Sequence, residues 1–453
     1  MSAASSKAPT PSTSISKMRV EDLFGYLTYT IPQAETDTVG YARLMILYGD
    51  NGSGKTTILT LLFSLLSPVS GRGEKTYVAR TPFRLFEVLF DSGLKVTVRK
   101  TKGLVGPYTI RFEHPNSEPK IFEVEPDQTV AVKRTPKAIK LLAYLATLGI
   151  SMYFLPDDRN VRISTEAEGD GDVDEVVVEE EDYVTSTRRV SVRSPDRRTE
   201  SHHLQLDSVL AKLSSWFRSH AFLGSSAGEE NATNIYLNVV ENLAQWAAGT
   251  PGTGQDQLII RLERLETRID RFTRFGLITP FPAKKFIELF CSAQTATKYT
   301  IGTIIEPYIN GIEARLNALD QVRDLIRTYV ETINEFLSGK TIDFSLQLGV
   351  LVAGREGGKL DPNLLSSGEK QLILLLSNTI LARESAAIFL IDEPELSLNI
   401  KWQRSLVEAL LRCSEGSKIQ FVLASHSLEL ITQHRRNAVQ LISASGIPRG
   451  PNA

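Results

Sequence analysis

The stretch Gly49-Asp50-Asn51-Gly52-Ser53-Gly54-Lys55-Thr56-Thr57 limits what this chain can fold into more than any other. Gly49, Gly52 and Gly54 permit a tight turn whose N–H groups converge on one point. Arg43 to Tyr48 before it predicts a buried strand, and Thr57 to Leu66 after it predicts a helix. Strand, glycine loop and helix in that order complete the G-x-x-x-x-G-K-[ST] pattern, which cradles phosphate. The helix start adds a partial positive charge. Lys55 is placed to bridge β- and γ-phosphates, and Thr56 to set its hydroxyl on Mg²⁺. Asn51, Gly52, Ser53, Gly54 and Thr57 complete the candidate loop for ATP.

Three later stretches supply the chemistry that a phosphate cradle lacks. Leu365-Ser366-Ser367-Gly368-Glu369-Lys370-Gln371 opens an apolar helix expected to run through Leu381. Ser366 with Glu369 reads as a capping box, while Ser367 and Gly368 offer a hydroxyl and N–H groups to an anion. Ala387 to Pro394 is an apolar strand ending in Asp392 and Glu393. Asp392 suits the Mg²⁺ shell, and Glu393 suits the base that deprotonates an attacking water. Ile419 to His426 is another buried strand with a histidine at its C-terminal end, where α/β sheets carry their sites.

Between these halves the pattern changes. Residues 1–17 read as a disordered tail, and residues 18–160 as the N-terminal half of a head. Short β-like runs near residues 83–90, 94–98 and 108–112 predict an antiparallel meander beside the glycine loop. Tyr26 and Tyr29 read as sheet aromatics, with stacking on adenine as the alternative. Arg159 faces either a phosphate or a surface carboxylate. Residues 161–200 pair an acidic block with an arginine-rich one, which predicts a solvated loop or a docking strip. Residues 201–340 are helical. Leu258, Leu262, Leu265, Ile269 and Phe272 step by fours and threes, as do Ile309 through Leu337, which predicts coiled-coil arms. Pro280 and Pro282 force a turn between the arms, so the expectation is an antiparallel hairpin whose tip, with Phe281, Phe286 and Phe290, spans 276–300. Residues 341–453 return to the head.

The order glycine loop, LSSGEKQ, FLIDEPE and ASH is similar to that of ABC-type ATPases, and the helical insertion resembles the SMC, Rad and RecF branch. Leu23-Phe24-Gly25-Tyr26, with Glu393-Pro394-Glu395-Leu396-Ser397-Leu398 and Trp402-Gln403, looks still more like ATPases of anti-phage systems: PARIS, Septu and the retron-associated ones. The implied fold is α/β, a P-loop NTPase of ABC type. It has a mixed sheet, an antiparallel β subdomain and an inserted helical or coiled-coil hairpin. The resemblance implies that Gly52, Gly54, Lys55 and Thr56 bind phosphates and Mg²⁺. It implies that Ser367 and Gly368 touch the γ-phosphate held by a second protomer, and that Asp392 and Glu393 are the Walker B pair. His426 is the implied switch histidine, and Ser397 lies in the loop joining two sites. The family's glutamine between the halves is missing, because Pro156-Asp157-Asp158 stands where it is expected.

Function follows as an expectation: an ATPase that acts as sensor and scaffold of a defence system. The implied partners are a second copy in a head-to-tail dimer or larger ring, a separate nuclease-like effector and a phage protein as trigger. A DNA-repair or chromosome ATPase is the alternative. The net charge of −2 gives no global pull on DNA, which leaves only local contact. A transporter motor fits poorly with a coiled-coil insert. About 27 residues follow His426, too few for an appended nuclease. Two distant cysteines and no run of about 20 apolar residues point to the cytoplasm and away from a membrane.

Overall fold

A computed structural model of the chain describes residues 13–32, 43–69, 73–115, 117–126, 132, 135–159, 161–164, 206–224, 255–292, 295–355 and 357–443. The charged stretch 166–198 lies outside them. The chain divides into two compact units, Met1–Arg197 with Ala382–Ala453, and Arg198–Leu381.

The first unit holds two six-stranded sheets. One is the expected antiparallel meander, in the order β2-β1-β4-β5-β6-β7. Its strands are β1 (Ile15–Leu23), β2 (Leu27–Ile31), β4 (Leu85–Phe90), β5 (Lys95–Lys100), β6 (Tyr108–Glu113) and β7 (Lys120–Val124). β1 starts inside the segment expected to be a tail. Its anchor is distant: the Ile15 N–H donates to Gln420 Oε1 at 2.7 Å, and Gln420 Nε2 donates back to the Ile15 carbonyl at 2.8 Å. The other sheet runs β14-β3-β13-β12-β8-β9. β3 (Leu44–Tyr48), β8 (Met152–Leu155), β12 (Ile388–Asp392), β13 (Gln420–Ser425) and β14 (Ala438–Gln440) are parallel to their neighbours. Only β9 (Arg162–Ile163), at the edge, is antiparallel. This is the mixed-sheet α/β P-loop fold that the sequence implies.

Strands buried on both faces need apolar residues at every position, which is why β12 reads Ile-Phe-Leu-Ile and β13 Phe-Val-Leu-Ala. Helix α1 (Lys55–Leu66) is apolar around most of its circumference, with Ile58, Leu59, Leu61, Leu62, Phe63, Leu65 and Leu66 all buried. They share one core with Val20, Phe86 and Val98 of the antiparallel sheet and with Met45, Leu47, Val422 and Ala424 of the parallel sheet. The end of α1 is closed by Lys75 of α2 (Glu74–Arg80), whose Nζ donates to the carbonyls of Ser64, Leu65 and Ser67 at 2.7, 2.8 and 2.8 Å.

The described residues of the second unit are mainly helical and include the hairpin of β10 (Lys340–Ser345) and β11 (Gly349–Gly354). Helix α4 (206–224) places Arg218 against the Leu346 and Gln347 carbonyls of that hairpin's turn. Helices α5 (Gln255–Thr273), α6 (Ala283–Ser292) and α7 (Thr295–Phe336) follow. The two expected arms are α5 and α7, but their direction is corrected. Arg261 bonds Asn310 and Glu313 at 2.7 and 2.8 Å, and Arg268 bonds Asn317 and Asp320 in the same way. Both partners advance by one heptad together, so the arms run parallel. α5 ends at Thr273, ahead of the prolines, and is closed by the N–H groups of Gly276 and Leu277 on the Thr273 and Phe272 carbonyls, with Gly276 at φ 70. The residues after the prolines build α6 and return the chain to the level where α5 began. α7 then passes through Pro307 without stopping, although a proline costs a helix interior about 3 kcal/mol. Ile305, Ile309, Leu316 and Leu319 continue its buried stripe on both sides. Phe281 and Phe286, expected at an open tip, stack on each other with centroids 5.2 Å apart beside Tyr308. The Phe290 side chain lies outside the described residues. No described helix is long and apolar enough to cross a membrane.

Candidate nucleotide site

The glycine loop joins β3 to α1. Gly52 and Gly54 sit at φ 79 and 83, where only glycine is free of strain. At Gly54 a Cβ would also come within 2.7 Å of Leu23 Cδ2. Gly54 caps α1 with no side-chain bond, which leaves the first-turn N–H groups for a ligand. Asn51, Gly52 and Thr56 are exposed, Thr57 is half-buried, and Ser53 and Lys55 are buried. Tyr29 is buried, and its hydroxyl donates to the Ser53 carbonyl at 3.0 Å, so it braces the loop.

β3, β13 and β12 are neighbours, and their C-terminal ends converge. Lys55 Nζ donates to the Gly49 and Asp50 carbonyls at 2.9 and 3.1 Å and to Ser53 Oγ at 3.3 Å. It also lies 3.5 Å from His426 Nδ1. Nε2 faces Glu393 Oε1 at 4.0 Å. Burial lowers the pKa of Lys55, and the carboxylates of Asp392, Glu393, Asp50 and Glu395 oppose that shift.

Asp392 is 1% exposed, and neither carboxylate oxygen has a hydrogen-bond partner of ordinary geometry. Burial raises its pKa to about 6. Glu393 and Asp157 add to the rise, while the nearby Thr56 hydroxyl and Arg159 favour the charged form. Two bare oxygens beside a hydroxyl suit a hard cation that takes oxygen ligands. Among the described residues no group of three or more His, Cys, Asp or Glu could hold a metal. An ion such as Mg²⁺ completes its shell with substrate phosphate and water.

Arg159 does not lie at the surface, where one sequence reading set it. It is buried, and its guanidinium donates to the main-chain carbonyls of Asp392 at 3.2 Å and Glu393 at 2.8 Å. It reaches them because β8, which precedes it, lies beside β12. The turn after β8 thus brings the Asp157 charge and the Arg159 guanidinium close to Asp392.

Ser367 and Gly368 lie in the second unit, at the start of α8 (Ser367–Ala382). The capping box is present: the Ser366 N–H donates to Glu369 Oε2 at 2.7 Å, and the Glu369 N–H to Ser366 Oγ at 3.3 Å. Lys340 holds the same carboxylate at 2.7 Å, within this unit. Ser367 is exposed and Gly368 buried. The structure therefore brings together Lys55, Thr56, Asp392, Glu393 and His426, and it fixes the local form of Ser367 and Gly368 separately.

Residues 180–432, more than half of the chain, match the family described as "AAA domain, putative AbiEii toxin, Type IV TA system". The match includes Ser367, Gly368, Asp392, Glu393 and His426 and begins after the glycine loop. Over 180 residues the chain is 28% identical to "Retron Vc95 probable ATPase" of Vibrio cholerae serotype O1 biovar El Tor, covering 35% of this chain. The chain spans 34% of that relative's length. Among solved structures, an Smc head domain with extended coiled coil from Pyrococcus furiosus, bound to the C-terminal domain of ScpA, aligns over 93% of this chain and 91% of its own. Its identity is 16% and its TM-score 0.36. The SMC head domain of Thermotoga maritima aligns over 93% and 92%, at 10% identity and TM-score 0.33. Overlays of that quality place no residue, and the fold rests on the strand order above.

Proposed function

The chain belongs to the AAA-domain family of that description, and from this membership we propose that it binds ATP with Mg²⁺ and hydrolyses it to ADP and phosphate. One observation carries the reading: Lys55, Asp392, Glu393 and His426 meet at the C-terminal ends of three adjacent parallel strands. Lys55 and the first-turn N–H groups of α1 bind the phosphates. Thr56 and Asp392 would hold Mg²⁺, which would supply positive charge against the phosphate oxygens. Glu393 takes the proton of the attacking water. His426, with Nε2 toward Glu393, orients that carboxylate and reports the γ-phosphate. Lys55→Ala should abolish binding of a fluorescent nucleotide. Glu393→Gln should retain binding and lose about 10²–10⁴-fold in kcat. Near-normal turnover by Glu393→Gln would remove it from the role of base.

At the level of the cell, we propose a sensor and scaffold subunit of an anti-phage system. Support comes from the resemblance to ATPases of the PARIS, Septu and retron-associated kind and from the retron ATPase relative. In this reading a phage protein is the trigger, a separate nuclease-like protein is the effector, and two heads share nucleotide head to tail or in a larger ring. Cells carrying the locus with its neighbouring genes should restrict some phages, and Lys55→Ala should erase that restriction in plaque counts. Restriction that survives Lys55→Ala would separate defence from the nucleotide.

A further inference from the structure

Glu395 has no chemistry assigned to it above, yet it sits at a junction. Its Oε1 accepts three hydrogen bonds: from Ser425 Oγ at 2.7 Å, from the His426 N–H at 2.7 Å and from the Ser427 N–H at 3.0 Å. Its Oε2 is buried with no partner. Ser425 Oγ in turn accepts from the Ser427 N–H at 3.0 Å. Ser427 Oγ donates to Gln403 Oε1 at 2.7 Å, and Gln403 Nε2 donates to the Leu398 carbonyl at 2.9 Å. The chain of bonds leaves the loop at Glu395, crosses the end of β13, enters helix α9 (Ile400–Cys413) and returns to the loop at Leu398. Ser397, at φ 66, lies inside that ring.

We propose that Glu395 is a positioning residue for hydrolysis, fixing His426 through its main chain and joining the 395–398 loop to it as one body. The inference rests on the ATPase reading above. The bonds are charge-assisted, and three donors aimed at one oxygen define a point in space more tightly than one would. His426 can hold its place between Lys55 and Glu393 only if its own backbone is fixed, and Glu395 is the acceptor for its N–H. A displacement of His426 is then passed through the same carboxylate to Ser397. Glutamine would keep the accepting oxygen but bury an amide NH₂ where Oε2 has no partner.

The test is steady-state ATP hydrolysis by the full chain as wild type, Lys55→Ala, Glu395→Ala, Glu395→Gln, His426→Ala and Glu395→Ala with His426→Ala. Glu395→Ala should lower kcat about 10–100-fold, the range for groups that orient a reacting residue. KM should stay within about threefold, and Glu395→Gln should fall between wild type and Glu395→Ala. In the His426→Ala background the same substitution should cost less than about twofold more, because a residue acting through another adds nothing once that residue is gone. An unchanged kcat, or an equal loss in both backgrounds, overturns the proposal. If Glu395→Ala does not fold, Gln403→Ala opens the ring at its far side. It should show a smaller kcat loss with the same non-additivity, and its absence overturns the ring. Wild type without Lys55-dependent hydrolysis overturns the ATPase reading itself. Such hydrolysis indifferent to Glu395 overturns this inference alone.

Discussion

Glu393 is held at φ 45, a conformation that costs a glutamate on the order of 1–3 kcal/mol. Both of its peptide groups are tied: the N–H to the Ala424 carbonyl at 2.9 Å and the carbonyl to Arg159 at 2.8 Å. Arg159 therefore holds the strained turn that carries Glu393. Arg159→Ala should lower kcat by roughly 10–100-fold while a non-hydrolysable analogue still binds. Arg159→Lys should recover only part, since an ammonium lacks the planar fork that reaches two carbonyls. Wild-type kcat in Arg159→Ala would show the brace to be idle. The acids of this site were legible in sequence because an apolar strand ending in Asp392-Glu393 has few other readings. The role of Arg159 was not, because its partners are main-chain groups of a strand more than 200 residues away. Glu395 was hidden for the same reason. Its three donors come from a strand end that only the order of the sheet brings near.

Helix ends carry a second lesson. Lys75 closes α1, and Lys100 closes α2 by donating to the Val78 and Ala79 carbonyls at 2.6 and 2.7 Å. Burial pulls Lys75 from 10.5 to about 7, opposed by the Glu74 carboxylate, and Lys100 to about 8. The unfolded chain keeps these protons up to about pH 10.4, and the folded chain releases them earlier. Stability therefore rises with pH from about 7 upward. Denaturant midpoints should climb between pH 7 and 9. Lys75→Met should flatten part of that climb and lower stability at pH 6, where the folded ammonium still makes three hydrogen bonds at the end of α1. A slope equal to wild type would mean that Lys75 stays charged. Capping lysines of this kind leave no periodic signature, so the sequence hides them. The heptads of α5 and α7 did show, since spacing reveals a buried stripe. Their parallel direction did not, since spacing says nothing about which way a partner runs.

The molecule as a whole keeps its phosphate loop in one unit and Ser367 with Gly368 in the other. If each nucleotide is shared between two chains, Lys55→Ala and Gly368→Asp should each be inactive, and mixing them should restore hydrolysis at a reduced level. One site of the mixed dimer then has both halves intact. No recovery, with mixed dimers confirmed by mass, counts against shared sites, and full activity of Gly368→Asp alone removes the idea. The sheet has one further consequence, for synthesis on the ribosome. β3 pairs with β13 on one side and β14 on the other, strands that begin at Gln420 and Ala438. At about 5–20 residues per second, roughly 20–80 s pass between the emergence of β3 and that of its neighbours. Throughout that interval an apolar strand waits unpaired beside a finished glycine loop, a state that invites chaperones. Nascent chains arrested before residue 420 should be held by such chaperones and should not retain nucleotide, whereas chains released past residue 443 should do the reverse.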